Sequence, residues 1–445
     1  MAAIGNNAVG GVSLKAERGH HMQVVSGRKA SWRSAHAALA LLVMGACGPL
    51  LAAEDGSALG NMLVRDSKVE LQLRTYFYDK LNPAPKNPNQ AWALGGWLGY
   101  QSGWLGDVFS FGLTGYTSQP LWAPADAPGS NLLTATQGGY SVLGLAYGSL
   151  RLFDQTLTGG RFEVNQPEVN LFDNRMTPQT FQGGALTGKL AGLDYFAGYL
   201  SDVKQRNATT FINMAQAAGA PSDVSSGMWL VGFKGEPTKD LVLRLSSYHV
   251  PDVLNSTYAD AAWTTPVADG MKLRLGAQTI YQNSTGSNSL GTFSVGYGGV
   301  KADLTSGGVT GTLGYNQTGR NANLRSPYSS WAGYTVMLIQ DFNSAGQKAF
   351  LIGAAYDFKS VGAPGLTLAG HIATGFDAIN PSTGAPVANS TEYDIDLNYR
   401  FTDKSWPTWA QPLWLRIRAG VLVPSGGGAT TENYRIILNY PIDLK

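Results

Sequence analysis

Only one of the 445 residues is cysteine, Cys47, and it lies in the N-terminal segment. If that segment is removed, neither a disulfide framework nor a thiolate metal site is available to the rest of the chain. Histidine is nearly as scarce. Of five, only His249 and His371 lie beyond residue 53, and neither belongs to a Ser/His/Asp signature. Metal-ligand spacings and a Gly-rich phosphate loop are missing too, so the sequence offers no catalytic centre and no cofactor site. Long apolar runs are also missing. Beyond residue 53 nothing approaches the roughly 18 uninterrupted apolar residues of a membrane helix, so entry into a membrane would require a barrel. No hydrophilic linker divides residues 54–445, which read as one domain.

The N-terminal segment has its own character. Arg28, Lys29 and Arg33 precede an apolar run from Ala37 to Leu51 that ends in Ala52-Ala53. This reads as a signal peptide over residues 1–53, with Met22 an alternative start. Val43-Met44-Gly45-Ala46 before Cys47 faintly resembles a lipoprotein-processing site, but Met44 fits its key position poorly, and lipidation is the minor alternative. Residues 1–53 hold 5 of the 32 basic and 1 of the 30 acidic residues, which leaves 27 basic against 29 acidic. A slightly acidic body with only 14% charged residues overall is not a nucleic-acid binder, which would carry a net basic face.

What is abundant is glycine, at 56 residues, together with 20 Tyr, 16 Phe and 11 Trp. That suits many tightly turned strands with aromatics at a membrane boundary. The strands show as a period of two. Val69, Leu71 and Leu73 alternate with Lys68, Glu70, Gln72, Arg74 and Tyr76. Leu241, Leu243 and Leu245 oppose Arg244, Ser246 and Tyr248, and Leu273, Leu275 and Ala277 oppose Lys272, Arg274 and Gln278. Near the C-terminus Tyr393, Ile395, Leu397, Tyr399 and Phe401 oppose Glu392, Asp394, Asp396, Asn398 and Arg400. Lipid touching alternate side chains imposes this pattern. Long connections (Thr117–Gly138, Gly160–Gly183, Ser201–Gly227) alternate with tight ones (Ser102–Asp107, Leu190–Leu193, Gly235–Asp240). The reading is all-β: a transmembrane antiparallel β-barrel with inward-folded constriction loops. About nineteen segments have strand character. Barrels of one bacterial chain have an even number, and Trp331–Gln340 would put two short connections in succession. That segment is assigned to a loop, leaving eighteen strands.

Several motifs resemble the OprD family of outer-membrane porins, across nearly all of residues 54–445. They are the run Phe172-Asp173-Asn174-Arg175-Met176-Thr177-Pro178-Gln179-Thr180-Phe181-Gln182-Gly183, Asp341-Phe342-Asn343, and Gly362-Ala363-Pro364-Gly365-Leu366-Thr367. Leu415-Arg416-Ile417-Arg418 and Asn433-Tyr434-Arg435-Ile436-Ile437-Leu438-Asn439-Tyr440-Pro441 complete the set. The resemblance implies eighteen strands in a Gram-negative outer membrane, a constriction of inward-folded loops, and a basic ladder along the lumen. Two positions depart from the family pattern. His371 stands where a basic residue is usual, and Ser329-Ser330 replaces an Asp-Ser pair found in members that take basic amino acids, which argues against cationic solutes. The final strand resembles the signal read by barrel-assembly machinery, with Lys445 trailing it.

Parity agrees with such a ladder: Arg400, Arg416, Arg418 and Arg435 oppose apolar positions and should face the lumen, with Arg175 in the constriction loop. Arginine stays charged at every relevant pH and lowers the barrier to an anion in a narrow pore. The expected activity is passive diffusion of small carboxylate-bearing nutrients. The bland alternative is that lumen positions must be polar and that scattered Arg and Asp merely balance, which weighs most for Arg244, Lys272 and Arg274. Glu392, Asp394 and Asp396 form either an acidic strip across the pore or, slightly favoured, ion pairs with Arg416 and Arg418. His249 reads as an interfacial ring near a strand end. Neutral oligosaccharides such as chito-oligosaccharides, which relatives of the family are known to take, remain the alternative solute class. A nonselective barrel or a barrel enzyme ranks lower. Expected partners are outer-membrane lipid, the solute and the assembly machinery, for a monomer or trimer.

Overall fold

The computed structural model describes residues 57–330 and 333–444, so the signal segment, Trp331, Ala332 and Lys445 lie outside the described residues. Among the described residues eighteen long strands follow one another in antiparallel order, numbered along the chain from Lys68–Leu81 (β1) to Thr431–Asp443 (β18). β18 then pairs back onto β1, from Glu70 opposite Asp443 to Leu81 opposite Glu432. The sheet therefore closes without an edge, and every wall strand has a neighbour on both sides, as a bilayer core demands. A nineteenth pairing, the two residues Ile212–Asn213, is only a loop segment laid on Asp202 and Val203. Beside it Leu193–Lys204 (β7) still pairs directly with Met228–Thr238 (β8).

Alternation sets which side of the wall each residue meets. On Ser390–Arg400 (β16), Tyr393 is 48% and Ile395 51% exposed, while Glu392, one residue before Tyr393, is wholly buried. The same band of outward apolar side chains includes Leu94, Leu113, Leu245, Leu313, Ile352 and Ile436. In water a belt of this kind would drive aggregation; against hydrocarbon it is the favoured surface.

The two ends differ as the connections require. One end carries the tight turns 153–154, 191–192, 239–240, 269–270 and 307–308, and the other the long loops 123–139, 163–179, 205–227 and 319–347. The division has exceptions: 102–108, 358–365 and 401–413 are longer connections at the tight-turn end, and 251–253 is a short one at the other. Residues 333–340 carry no strand, as the even-strand argument requires.

The protein core lies inside the barrel, where these loops meet. Tyr328 is its wedge: fully buried, it donates its hydroxyl hydrogen to Met214 O at 2.7 Å and sets its ring edge-on to Tyr248. Its own carbonyl accepts the N–H of Asn170 at 3.1 Å. Loops 163–179, 205–227 and 319–347 are thereby tied to one another and to the wall.

Candidate functional site

A dense run of charge in the described lumen comes from four strands that pair in succession, β16, Trp414–Pro424 (β17), β18 and β1. Strand register places the groups. Asn398 stands opposite Arg416 and Asp396 opposite Arg418, and Arg418 stands opposite Arg435. Arg435 in turn faces Tyr78, and Asn439 faces Arg74. Arg416 and Arg418 on one strand and Arg435 on the next thus form a diagonal on one face of two adjacent strands. Arg400, across from Trp414, continues it to the tight-turn end, where its guanidinium lies over the Trp414 ring at 4.3 Å.

The acids on this face divide into two kinds. Asp396 serves two arginines at once: Arg416 Nε donates to both its oxygens at 3.0 and 3.1 Å, and Arg418 Nε stands 2.9 Å from Oδ2 without hydrogen-bond alignment. One carboxylate between two guanidinium groups leaves a net positive charge. Glu392 and Asp394 do something else. They accept backbone hydrogens from the inward loop: Ile339 N–H at 2.6 Å and Gln340 N–H at 2.9 Å on Glu392, and Leu338 N–H at 2.8 Å on Asp394. The expected pairing of the acidic trio with Arg416 and Arg418 therefore holds for Asp396 alone. The other two carboxylates are spent on a loop, because charge-assisted bonds to otherwise unpaired backbone donors satisfy both partners in an enclosed space.

Arg435 has no acid partner among the described residues. Its Nε donates to Asn433 Oδ1 at 2.6 Å and its Nη2 to Leu338 O at 2.8 Å. Arg175 is similar, donating to Ser130 O and Asn174 O, both at 2.8 Å. Both guanidinium groups lie over Tyr78, at 4.9 Å for Arg175 and 5.3 Å for Arg435.

The remaining expected site residues are more scattered. Ser329 is buried beside the Tyr328 wedge, and the exposed Ser330 gives its N–H to Asn170 Oδ1 at 3.3 Å. Asp341 stays open to solvent inside the inward loop; the protein enclosing it raises its carboxyl above the ordinary range. His371 stands across from Asp394 on one side and Gly353 on the other. Its ring lies over Gly353, where an added Cβ would come within 2.3 Å of it, so it leans away from the arginine diagonal. Arg244 is neutralised by a two-pronged bond to Asp260 at 2.8 and 3.0 Å, and Arg274 and Lys301 lie near Asp303. The balanced-charge reading fits that side of the barrel. His249 sits at a strand end with Nδ1 2.5 Å from Asn255 Oδ1.

Two basic residues that matter here were not singled out from the sequence. Arg74 holds the constriction loop, with Nη1 on Asp173 Oδ1 at 2.6 Å, Nη2 on Asp173 Oδ2 at 3.1 Å, and Nη1 also on Arg175 O at 2.5 Å. Its lumen parity was visible, but its loop partner was not. Arg206, on loop 205–227, bonds Asn174 Oδ1 and stacks on Phe172 at 3.7 Å; no periodicity marks a loop residue.

A closed antiparallel barrel with an apolar exterior, and with loops folded into a charged interior, is an outer-membrane channel of the porin class. The chain belongs to the OprD family, whose model, described as outer membrane porin, OprD family, matches residues 62–444. It is 24% identical over 412 residues to Porin D of Pseudomonas aeruginosa, covering 86% of this chain and 92% of that one. Among solved structures it superposes on Acinetobacter baumannii OccAB3 with a TM-score of 0.78 at 20% identity, covering 86% of this chain and all of that one. OccK9 (OpdG) of P. aeruginosa gives 0.77 at 24%, covering 86% and 99%. P. aeruginosa OpdK, solved with vanillate, gives 0.76 at 22%, covering 85% and 99%. The family is one of Gram-negative outer-membrane channels, and its members are porins rather than enzymes.

Proposed function

We propose that this porin passes small carboxylate-bearing solutes by diffusion along the diagonal Arg435, Arg418, Arg416 and Arg400. The observation that carries the reading is the charge imbalance there: three successive strands present four guanidinium groups, and of the nearby acids only Asp396 is spent on them. An anion moving between rungs exchanges one charge-assisted bond for the next, so no single rung need hold it tightly. The vanillate in the solved OpdK structure is itself a carboxylate, which accords with this class of solute. A slide for neutral oligosaccharides would need open aromatic faces, whereas Tyr76, Tyr78, Tyr116 and Tyr140 are all buried beneath loops.

The test is the double variant Arg416→Gln/Arg418→Gln, which keeps hydrogen-bonding capacity and removes two charges. The barrel should still show heat-modifiable migration on gels. Reversal potentials across a planar bilayer should lose anion preference, most at low salt, because screening extends only about 10 Å at 0.1 M. Wild-type anion preference and carboxylate uptake in a folded double variant would end the proposal.

A further inference from the structure

Loop residues 338–340 are bound to the same wall as the arginine diagonal, and they are bound in the manner of a solute. Leu338 O occupies Arg435 Nη2 at 2.8 Å, the place an entering carboxylate oxygen would take. On the other side three consecutive backbone N–H groups, of Leu338, Ile339 and Gln340, are held by Asp394 and Glu392. Leu338 can come this close because the wall residue behind it is Gly420, where an added Cβ would lie 3.2 Å from Leu338 Cβ and 2.5 Å from Asp394 Oδ1.

We propose that this segment is a displaceable latch on the uppermost rung: a solute carboxylate replaces the Leu338 carbonyl on Arg435, and residues 338–340 then leave the wall. The physical asymmetry favours exchange. A neutral carbonyl on a guanidinium is the weaker partner, because a carboxylate brings its own full charge and can take two donors of the guanidinium fork at once. The latched state also carries an unsatisfied atom, since Asp394 Oδ1 is buried without a hydrogen-bond partner, a penalty that opening to water relieves. Glu392 and Asp394 are in this view positioning residues. They return the loop to the rung after each passage, and they are unavailable to neutralise the arginines while they do so. The exchange step rests on the carboxylate reading above. The latch itself can be examined with chloride current alone.

The chain has no cysteine outside the N-terminal segment, so a paired-cysteine test is clean. Leu338→Cys/Gly420→Cys places two Cβ atoms close to the separation that a disulfide spans, about 3.5–4.5 Å. The same molecules are measured oxidised and then reduced, with the cross-link verified by mass. Benzoate uptake into liposomes should fall at least tenfold on oxidation and return on reduction, and benzoate-stimulated current fluctuations in potassium chloride should vanish with the cross-link. Equal uptake and equal fluctuations in the two states would overturn the latch. Should the cysteine pair fail to assemble or cross-link, Glu392→Gln decides. It weakens two of the three N–H contacts and should raise the frequency of chloride-current fluctuations at least threefold without benzoate. Unchanged fluctuations reject the latch. A wild-type barrel without anion preference refutes the solute class instead, and leaves the chloride-current result to judge the latch.

Discussion

Arg418 and Arg435 stand directly opposite each other on neighbouring strands, with no carboxylate placed between them. Like charges in that position destabilise a sheet, and each has been drawn off to another partner: Arg418 to Asp396, Arg435 to Asn433 and Leu338 O. A wall selected only for stability would place an acid or a neutral residue at one of these sites. The pair is understandable as a conduction device whose repulsion is tolerated because the surroundings are polar and partly wet.

The acid that makes the pair tolerable gives the first prediction. Asp396→Asn leaves Arg416 and Arg418 without a counter-charge. It should lower stability by about 1–3 kcal/mol, the cost of leaving partly buried charged donors poorly satisfied. It should also increase anion preference, the opposite sign to removing the arginines. Urea unfolding and reversal potential on the same preparation check both halves. A variant as stable as wild type, or one with reduced anion preference, contradicts the arrangement.

How much of this was legible in the sequence depends on the range of the contact. Alternation around Tyr393 and Ile395 identified the wall and its inner face, because a strand's period is a local property that lipid enforces along its whole length. The loop status of residues 333–340 followed from counting connections. The work of Glu392 and Asp394 was not legible. Parity put them on the same face as Asp396, but their partners are backbone donors some fifty residues earlier in a loop with no period. Arg74 failed to stand out for the same reason, since its partner Asp173 belongs to the constriction loop.

That second contact is a prediction in itself. Asp173→Asn removes the charge from a bond whose arginine is almost wholly buried. Loop 163–179 should loosen by at most about 1.5–3 kcal/mol, the typical range for a hydrogen bond to a charged group. Single-channel current should become noisier, and limited proteolysis within residues 163–179 should accelerate. If both match wild type, the constriction is held by its apolar packing and not by Arg74.

A different loop contact should respond to pH. Glu168, on the same loop, is buried against Ser256, whose hydroxyl lies 2.8 Å from both carboxyl oxygens, and near Gln282 Nε2 at 3.4 Å. Burial pushes its pKa up to about 7, outweighing those two hydrogen bonds. A carboxyl whose folded pKa is raised contributes stability that is full below its unfolded value near 4.5 and is lost as the pH rises through about 7. At about 1.4 kcal/mol per unit, the change across that window is about 3 kcal/mol. Glu168→Gln imitates the protonated form and should flatten the profile between pH 5 and 8, with the variant more stable than wild type at pH 8. Parallel pH profiles for the two proteins would show that Glu168 does not set the trend.

The last prediction concerns how the inward loop is seated. Phe342 is fully buried with φ near 53°, a left-handed conformation that a bulky residue adopts only when its surroundings impose it. Two neighbours do so here: Asn316 Nδ2 donates to Phe342 O at 2.9 Å, and Gly375 on the wall leaves room for the ring. A Cβ at Gly375 would come 2.4 Å from Phe342 Cδ1 and 2.5 Å from Gln347 Nε2, too close for either to remain. Gly375→Ala should therefore expel the ring, at about 1–3 kcal/mol for overpacking a tight site, and free residues 319–347 from the wall. Trypsin reports this directly, since Arg320 and Arg325 lie in that loop. Cleavage there should accelerate at least tenfold in the variant while the barrel keeps its heat-modifiable migration. An unchanged unfolding midpoint together with unchanged cleavage would mean that the ring can shift without releasing the loop, and that the strained backbone at Phe342 is held by Asn316 alone.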